Sequence, residues 1–198
     1  MQVVLSTAYL PSVQYFQQIN KAETIYIEKH ENFVKQSYRN RCNVFGANGV
    51  LALSIPVIHA SDKELITEKK ISYSENWQQQ HWRTIESAYR NSPYFIYYAD
   101  ALKPFYEKKY EFLFDYNLEL LKFLLNNFKI KTEIKFTETF DKSILLEDYR
   151  YSISPKNKIE ESDFKKYPQL FSDKHNFQPN LSGIDLLFNA GPYSKDYL

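Results

Sequence analysis

The sequence predicts a single α/β domain whose mixed sheet begins with a β-α-β unit and continues into a β-hairpin, with helices flanking the sheet. Within the first 28 residues, an apolar strand pattern, a helical pattern and an alternating strand pattern follow one another. A turn rich in Gly and Asn joins two further apolar runs soon afterwards. Because 198 residues suit one hydrophobic core, we interpret residues 1–198 as one domain.

The β-α-β unit predicts where in the fold the functional site lies. Gln2–Ser6 is a short apolar run, Pro11 precedes a helical apolar pattern over Val13–Lys21, and Thr24–Glu28 alternates as a second strand. A crossover of this kind makes its two strands parallel, and open α/β sheets bind ligands beyond the carboxyl ends of their strands. We therefore expect the functional site at that edge of the sheet.

The rest of the chain alternates between strand, helix and loop patterns. Residues 39–45 and 50–57 are predicted to form a hairpin around Gly46-Ala47-Asn48-Gly49, whose glycines and asparagine tolerate positive φ. The later elements are a helix over Trp77–Tyr89, a helical region over 101–128 interrupted at Pro104, a strand over 132–140, a polar loop over 149–180 and a closing helix over 182–189. We expect the 149–180 loop to be less ordered than the sheet.

Composition and charge exclude several classes of protein. The chain has 25 Lys and Arg against 24 Asp and Glu, and this net charge of +1 argues against nucleic acid as a partner. No apolar stretch approaches the ~20 residues that cross a bilayer, and the start lacks a signal-peptide pattern, so we expect a cytoplasmic protein without membrane insertion. With a lone cysteine, Cys42, no zinc-type spacing and no glycine-rich phosphate loop, we predict no disulfide, metal or cofactor.

Four segments, in a fixed order along the chain, carry a family pattern. They are Tyr9-Leu10-Pro11 with Gln14-Tyr15-Phe16; Lys35-Gln36-Ser37-Tyr38-Arg39-Asn40-Arg41; Trp77, His81-Trp82, Ile85, Tyr89 and Ser92-Pro93-Tyr94-Phe95; and Asn180-Leu181-Ser182-Gly183-Ile184-Asp185-Leu186-Leu187-Phe188-Asn189. Together they resemble the WbqC-like family, whose members are linked with bacterial surface-polysaccharide gene sets and in some cases regarded as transferases. Many members carry His-Gln-Pro just before the Tyr-Leu-Pro element, whereas this chain has Ser6-Thr7-Ala8.

Arg39 and Arg41 are the first candidate ligand-binding residues. They lie two apart on a predicted strand, so we expect both side chains on one half-exposed face, where two guanidinium groups would bind a phosphate or carboxylate. Lys35 would add a third cation. The alternative is a solvated hairpin face with surface ion pairs.

His81 is the candidate catalytic residue. It lies one helical turn from both Trp77 and Ile85, so it shares the buried face of its helix. An imidazole between rings suits a general base, and burial would keep it neutral. The alternative is a core histidine whose ring nitrogens bind protein groups.

Further candidates lie near the ends of the first two strands. Tyr9, Gln14 and Tyr15 would offer phenol and amide hydrogen bonds to a ligand, and packed or surface roles are the alternatives. Glu28 is interpreted as the counter-ion of Arg39 and Arg41, with a carboxylate base as the other reading.

Two functions follow from these residues. The first is a transferase that acts on an activated, anionic donor in polysaccharide assembly, with the arginines holding the anion and His81 as base. The second is a non-catalytic binding or scaffold protein of the same pathway. Both predict a small phosphate- or carboxylate-bearing ligand, and both leave the oligomeric state open. Convergence of His81 and the arginines on one pocket would favour the enzyme.

Overall fold

The computed structural model describes residues 1–59, 61, 63–142 and 144–198. The strands across these residues are β1 (Gln2–Ser6), β2 (Thr24–Glu28), β3 (Arg41–Gly46), β4 (Gly49–Ser54), β5 (Glu133–Phe136) and β6 (Glu147–Asp148). The α-helices are α1 (Val13–Lys21), α2 (Trp77–Tyr89), α3 (Phe95–Leu102), α4 (Leu113–Asn127), α5 (Ser172–His175) and α6 (Gly183–Ala190). Short 3-10 helices lie at Ile66–Glu68, Lys103–Tyr106, Glu161–Asp163 and Gly191–Tyr197.

A four-stranded parallel sheet forms the centre of the molecule, in the order β5-β2-β1-β6. The predicted β-α-β unit is confirmed, with the two strands in parallel register from Gln2 opposite Thr24 to Ser6 opposite Glu28. β6 continues the sheet beyond β1, where Val4 lies opposite Asp148. All four strands therefore end at one edge.

The predicted hairpin is confirmed as β3 and β4, which pair antiparallel from Arg41 opposite Ser54 to Gly46 opposite Gly49. In the part of the chain that the structure describes, it forms a two-stranded sheet of its own. The turn needs glycine at Gly49, whose φ is 109°. Arg39 precedes this hairpin, because β3 begins only at Arg41.

Aromatic rings join helix α1 to the end of α4, and α4 to the sheet. Phe16 of α1 meets Phe128, just after α4, at 4.8 Å between ring centroids, and Phe114 of α4 meets Phe136 of β5 at 5.9 Å. α6 approaches α1 so closely that a Cβ on Gly183 would lie 2.6 Å from Phe16 Cε2. No helix among the described residues has both the length and the apolarity that a bilayer crossing requires.

Several predicted elements are shorter in the structure than the sequence predicts, or are divided into separate parts. The 101–128 region divides at Pro104 as predicted, since a 3-10 helix at Lys103–Tyr106 separates α3 from α4. The 132–140 strand is reduced to β5, because the chain leaves the sheet after Phe136. The 149–180 segment contains two short helices, and its Phe164 and Tyr167 are buried in the core. Its predicted mobility stays a prediction.

A buried carboxyl group anchors this segment to α6. Tyr167 Oη donates to Asp185 Oδ2 at 2.7 Å, and Gln169 Nε2 lies 3.4 Å from the same oxygen. Asp185 is fully buried, and its Oδ1 has no hydrogen-bond partner among the described atoms. Burial raises the pKa of Asp185 to about 6, which the hydrogen bonds from its neighbours only partly offset.

The raised pKa predicts a pH-dependent stability. An unfolded aspartate has a pKa of about 3.9, so the protonated folded form is favoured below that value, and this contribution is lost as pH rises through about 6. Asp185→Asn keeps an oxygen for Tyr167 and removes the titration. We expect the stability difference between variant and wild type to grow in the variant's favour by about 2 kcal/mol from pH 4 to pH 7. Urea unfolding at each pH measures it, and a constant difference would contradict it.

Candidate functional site

Charged side chains are buried where the parallel strands end. β1 ends at Ser6 and β2 at Glu28, which are register partners, and β6 ends at Asp148 beside them. The charges enclosed at this edge are Glu28, Glu31, Arg39 and Arg150, each no more than 4% exposed. We call these four residues the arginine–glutamate network. Buried charges of this kind persist only when they are paired and hydrogen-bonded.

Arg39 is held by Glu31. Its Nε donates to Glu31 Oε1 at 2.8 Å, and its Nη2 donates to Glu31 Oε2. The same Nη2 donates to Ser6 Oγ at 2.7 Å and lies 3.4 Å from the carbonyl oxygen of Arg150. Burial raises the pKa of Glu31, and the hydrogen bonds and charge of Arg39 oppose that shift. The Arg39–Glu31 pair is thus hydrogen-bonded to Ser6 of β1 and lies beside the backbone of Arg150.

Arg150 is held by two carboxylates. Its Nη1 donates to Glu28 Oε2 at 2.7 Å, while Nε and Nη2 donate to Asp148 Oδ1 and Oδ2 at 3.0 and 2.8 Å. Nη2 also donates to the carbonyl oxygen of Asp141 at 2.5 Å, and Phe140 stacks at 4.9 Å from the guanidinium carbon. The hydrogen bonds to Asp148 and then to Glu28 raise the pKa of Arg150, so it keeps its charge.

Glu28 is saturated by neighbours other than the residues expected. Besides Arg150, its Oε1 accepts from the backbone N–H of His30 at 2.7 Å and from Thr137 Oγ1 at 2.7 Å. The expectation that Glu28 is the counter-ion of Arg39 and Arg41 is therefore corrected. Glu31, three residues further along the chain, pairs with Arg39 because it lies beside the 34–39 turn.

A small pocket opens beside this network, between residues of the 34–39 turn and of the 150–156 loop, and it encloses about 70 Å³. The cationic side chains that line it are Lys35, Arg39, Arg150 and Lys156. The Tyr151 ring lies over the Arg39 guanidinium, 5.8 Å from its carbon. In the turn, Gln36 holds a left-handed conformation with φ 55°, a strain that sites of function commonly store. We call this the two-loop pocket.

A larger open groove of about 670 Å³ runs beside β5. Its charged walls, such as Lys135 and Glu138, are exposed to solvent and therefore strongly screened. The two-loop pocket is smaller, but it adjoins buried charge at the carboxyl ends of the strands, where α/β sheets bind ligands. For this reason we place the candidate site there. Across the described residues, no three His, Cys, Asp or Glu side chains are grouped as metal ligands.

His81 lies away from this pocket, in a closed aromatic cluster. Its Nδ1 is 2.9 Å from Tyr9 Oη, its ring packs on Trp77 at 5.1 Å, and the backbone of Ser54 also faces it. Burial lowers the pKa of His81 to about 4, so the ring is neutral and only weakly basic at pH 7. These surroundings match the structural alternative, and a catalytic role stays a prediction without support from the geometry.

The other predicted residues divide between the pocket and the rest of the molecule. Lys35 and Arg39 line the two-loop pocket, and Tyr15, whose Oη donates to the Ser6 carbonyl at 2.9 Å, borders an adjoining cavity of about 10 Å³. Gln14 instead pairs with Asn180, receiving an amide hydrogen bond at 3.2 Å. Tyr9 is fully buried beside His81.

Arg41 does not join Arg39. The expected pairing on one strand face is not met, since Arg39 lies in the turn before β3 and is buried, while Arg41 Nε donates to Ser54 Oγ at 3.2 Å on the hairpin. Sequence reasoning also missed Glu31, Arg150 and Lys156. The Tyr149-Arg150-Tyr151 string was the available signal, but its strand β6 has only two residues and gives no periodicity.

The buried Arg39–Glu31 pair predicts a stability effect that an exposed pair would not show. Arg39→Ala leaves Glu31 enclosed without its counter-ion, so we expect the free energy of unfolding to fall by about 3 to 5 kcal/mol. Arg39→Ala combined with Glu31→Ala should lose less than the sum of the single changes. Arg41→Ala is the matched control, within about 0.5 kcal/mol of wild type. Chemical denaturation of these three variants and of Glu31→Ala alone measures the differences. An Arg39→Ala protein as stable as the control would refute the buried pair.

His81→Gln separates the two readings of the histidine. Loss of the Tyr9 contact inside the aromatic cluster should lower stability by about 1 to 3 kcal/mol and leave anion binding at the two-loop pocket unchanged. Melting temperature and calorimetric titration with inorganic phosphate measure both properties. A variant that has wild-type stability but no longer binds the anion would show instead that His81 belongs to the binding site.

Comparisons with known proteins reach three of the four segments that carry the family pattern, and the fourth, residues 180–189, lies beyond the family match. Across 225 aligned positions, covering 98% of this chain and 96% of the relative, the sequence is 24% identical to Rv1507c of Mycobacterium tuberculosis, itself described as uncharacterized. No solved structure matches significantly. The profile of the WbqC-like protein family matches residues 7–154, which include the 34–39 turn, Arg150 and most of the two-loop pocket. The chain belongs to the WbqC-like protein family.

Proposed function

We propose that the protein binds a small anionic ligand in the two-loop pocket. One observation carries the proposal: two loops that are distant in sequence each bring one arginine and one lysine to the same small pocket at the carboxyl edge of the sheet. Cations that line one small pocket repel one another. An anion between the loops lowers that repulsion.

Binding without catalysis is the form of this proposal that the geometry supports best. The transferase alternative needs a group that accepts a proton beside the bound donor, and the predicted base, His81, packs in the aromatic cluster instead. The carboxylates of Glu31 and Glu28, beside the pocket, are engaged by arginines and by neighbouring hydrogen-bond donors. A binding protein needs only the cations.

The biological context of the ligand comes from the family resemblance. We propose that the ligand is an activated, anionic precursor of bacterial surface polysaccharide, and that the protein recognises it or presents it to a partner. The alternative within the same context is a transferase that uses this precursor as its donor. Turnover of a bound precursor by the purified protein would favour the alternative.

Lys156 offers the cleanest test of the binding proposal, because it lies on the pocket wall and is exposed, so its removal leaves the core intact. Lys156→Ala should weaken binding of the tightest of inorganic phosphate, sulfate and glycerate about fivefold, as expected for one partly screened charge. Lys158→Ala removes the same charge two residues away, outside the pocket, and should bind like wild type.

Isothermal titration calorimetry at constant ionic strength measures these affinities. Equal losses of affinity in both lysine variants would show that the effect comes from the overall charge of the protein. Wild-type affinity in Lys156→Ala, or no binding of any of the three anions, would place the ligand elsewhere.

A further inference from the structure

The hydrogen-bonding state of the two arginines defines which anion the pocket accepts, an inference that rests on the proposed anion site. A guanidinium group binds a carboxylate or a phosphate best through two parallel N–H donors along one of its edges, and a planar carboxylate has no further oxygens to offer to other donors. In Arg39, Nε and Nη2 are taken by Glu31, and the second hydrogen of Nη2 points to Ser6 Oγ. Neither edge of Arg39 is therefore free as a pair of donors.

Arg150 is occupied in the same way. Its Nε–Nη2 edge is filled by Asp148, and its other edge is divided between Glu28 at Nη1 and the carbonyl oxygen of Asp141 at Nη2. A ligand carboxylate could bind side by side to either arginine only by displacing a buried glutamate or aspartate. Such displacement would leave a buried carboxylate without its counter-ion, which strongly disfavours it.

What remains for a ligand is a set of single donors from different directions. Nη1 of Arg39 takes part in none of the hydrogen bonds of the described residues, and Arg39 lines the pocket. Lys156, which is exposed, approaches from the 150–156 loop and also lines the pocket. Ammonium groups act as point charges, so they do not select a planar partner. Dispersed single donors suit a tetrahedral group with several oxygens.

Size and charge favour the same group. A volume of about 70 Å³ is roughly twice the ~30 Å³ share of one water molecule, which is room for one anionic head group but not for a sugar or a base. The pocket walls carry four cations, whereas the three carboxylates that pair with the arginines, Glu28, Glu31 and Asp148, lie outside the lining. A phosphate monoester has a charge of about −1.5 to −2 at pH 7, about twice that of a carboxylate.

We propose that the two-loop pocket is a phosphate site: it holds a terminal phosphate group, free or as a monoester, through Arg39 Nη1 and Lys156, with the rest of the ligand outside the pocket. The paired carboxylates keep the arginines rigid and are not displaced. The ligand class is thus a phosphorylated small molecule rather than a carboxylic acid.

Calorimetric titration of the full-length protein with three probes tests this assignment: glycerol 3-phosphate, inorganic phosphate and glycerate, the last carrying a carboxylate in place of a phosphate. We expect glycerol 3-phosphate to bind at least about tenfold more tightly than glycerate, and Lys156→Ala to reduce that preference. Lys158→Ala is the matched control and should keep it. Inorganic phosphate that binds as tightly as glycerol 3-phosphate would assign the contacts to the phosphate group alone, whereas weaker binding would assign some of them to the esterified molecule.

Failure of this inference is distinguishable from failure of the proposed function. Glycerate binding as tightly as glycerol 3-phosphate, with both weakened by Lys156→Ala, would overturn the phosphate assignment and leave the anion pocket in place. Absence of binding by all three probes up to about 50 mM, or binding that Lys156→Ala does not alter, would overturn both, since a millimolar affinity already corresponds to the weakest useful contact energies.

Discussion

Two arginine–glutamate pairs enclosed at the carboxyl ends of the parallel strands constrain the rest of the structure. Arg39 and Arg150 come from segments more than 100 residues apart in the sequence, yet both are buried, and the carbonyl oxygen of Arg150 lies within 3.4 Å of Arg39 Nη2. Because removal of either partner leaves an uncompensated charge in the interior, the pairs hold both segments in one arrangement. The 34–39 turn and the 150–156 loop are thus fixed against each other by the need to neutralise charge.

The pocket is a consequence of that constraint. Ser6 and Glu28 end neighbouring strands, so the sheet itself sets the spacing of the groups that receive the arginines. The buried halves of the two loops meet through the ion pairs, and the lysines on their outer parts are brought to a common wall. The anion site that we propose is preorganised, because its cations do not have to be brought together for a ligand to bind.

Local patterns predicted most of the fold and little of the site. The β-α-β unit, the hairpin, α2 and α6 follow from periodicity, turn residues and proline, which act over a few residues. The pairing of Arg39 with Glu31 depends on where β3 begins, and a shift of two residues moved Arg39 from a strand face into a buried turn.

Long-range contacts were beyond the sequence patterns. Arg150 follows a two-residue strand inside a polar region, and only the folded sheet brings it to Glu28, 122 residues away. His81 was placed correctly on a buried helix face, yet the pattern could not say whether that face met a cleft or Tyr9. Asp185 likewise lies in the first turn of α6, and only the folded structure shows that its buried carboxyl group accepts a hydrogen bond from Tyr167.

Selenate is a tetrahedral anion with a strong anomalous selenium signal. Anomalous diffraction from crystals soaked in it tests whether the two-loop pocket binds a tetrahedral anion while both arginine–glutamate pairs stay in place. We expect a selenium peak in the two-loop pocket, with an oxygen within hydrogen-bonding distance of Arg39 Nη1 and the Arg39–Glu31 and Arg150–Glu28 pairs intact. Selenium bound only elsewhere, or bound in this pocket after displacing Glu31 from Arg39, would contradict it.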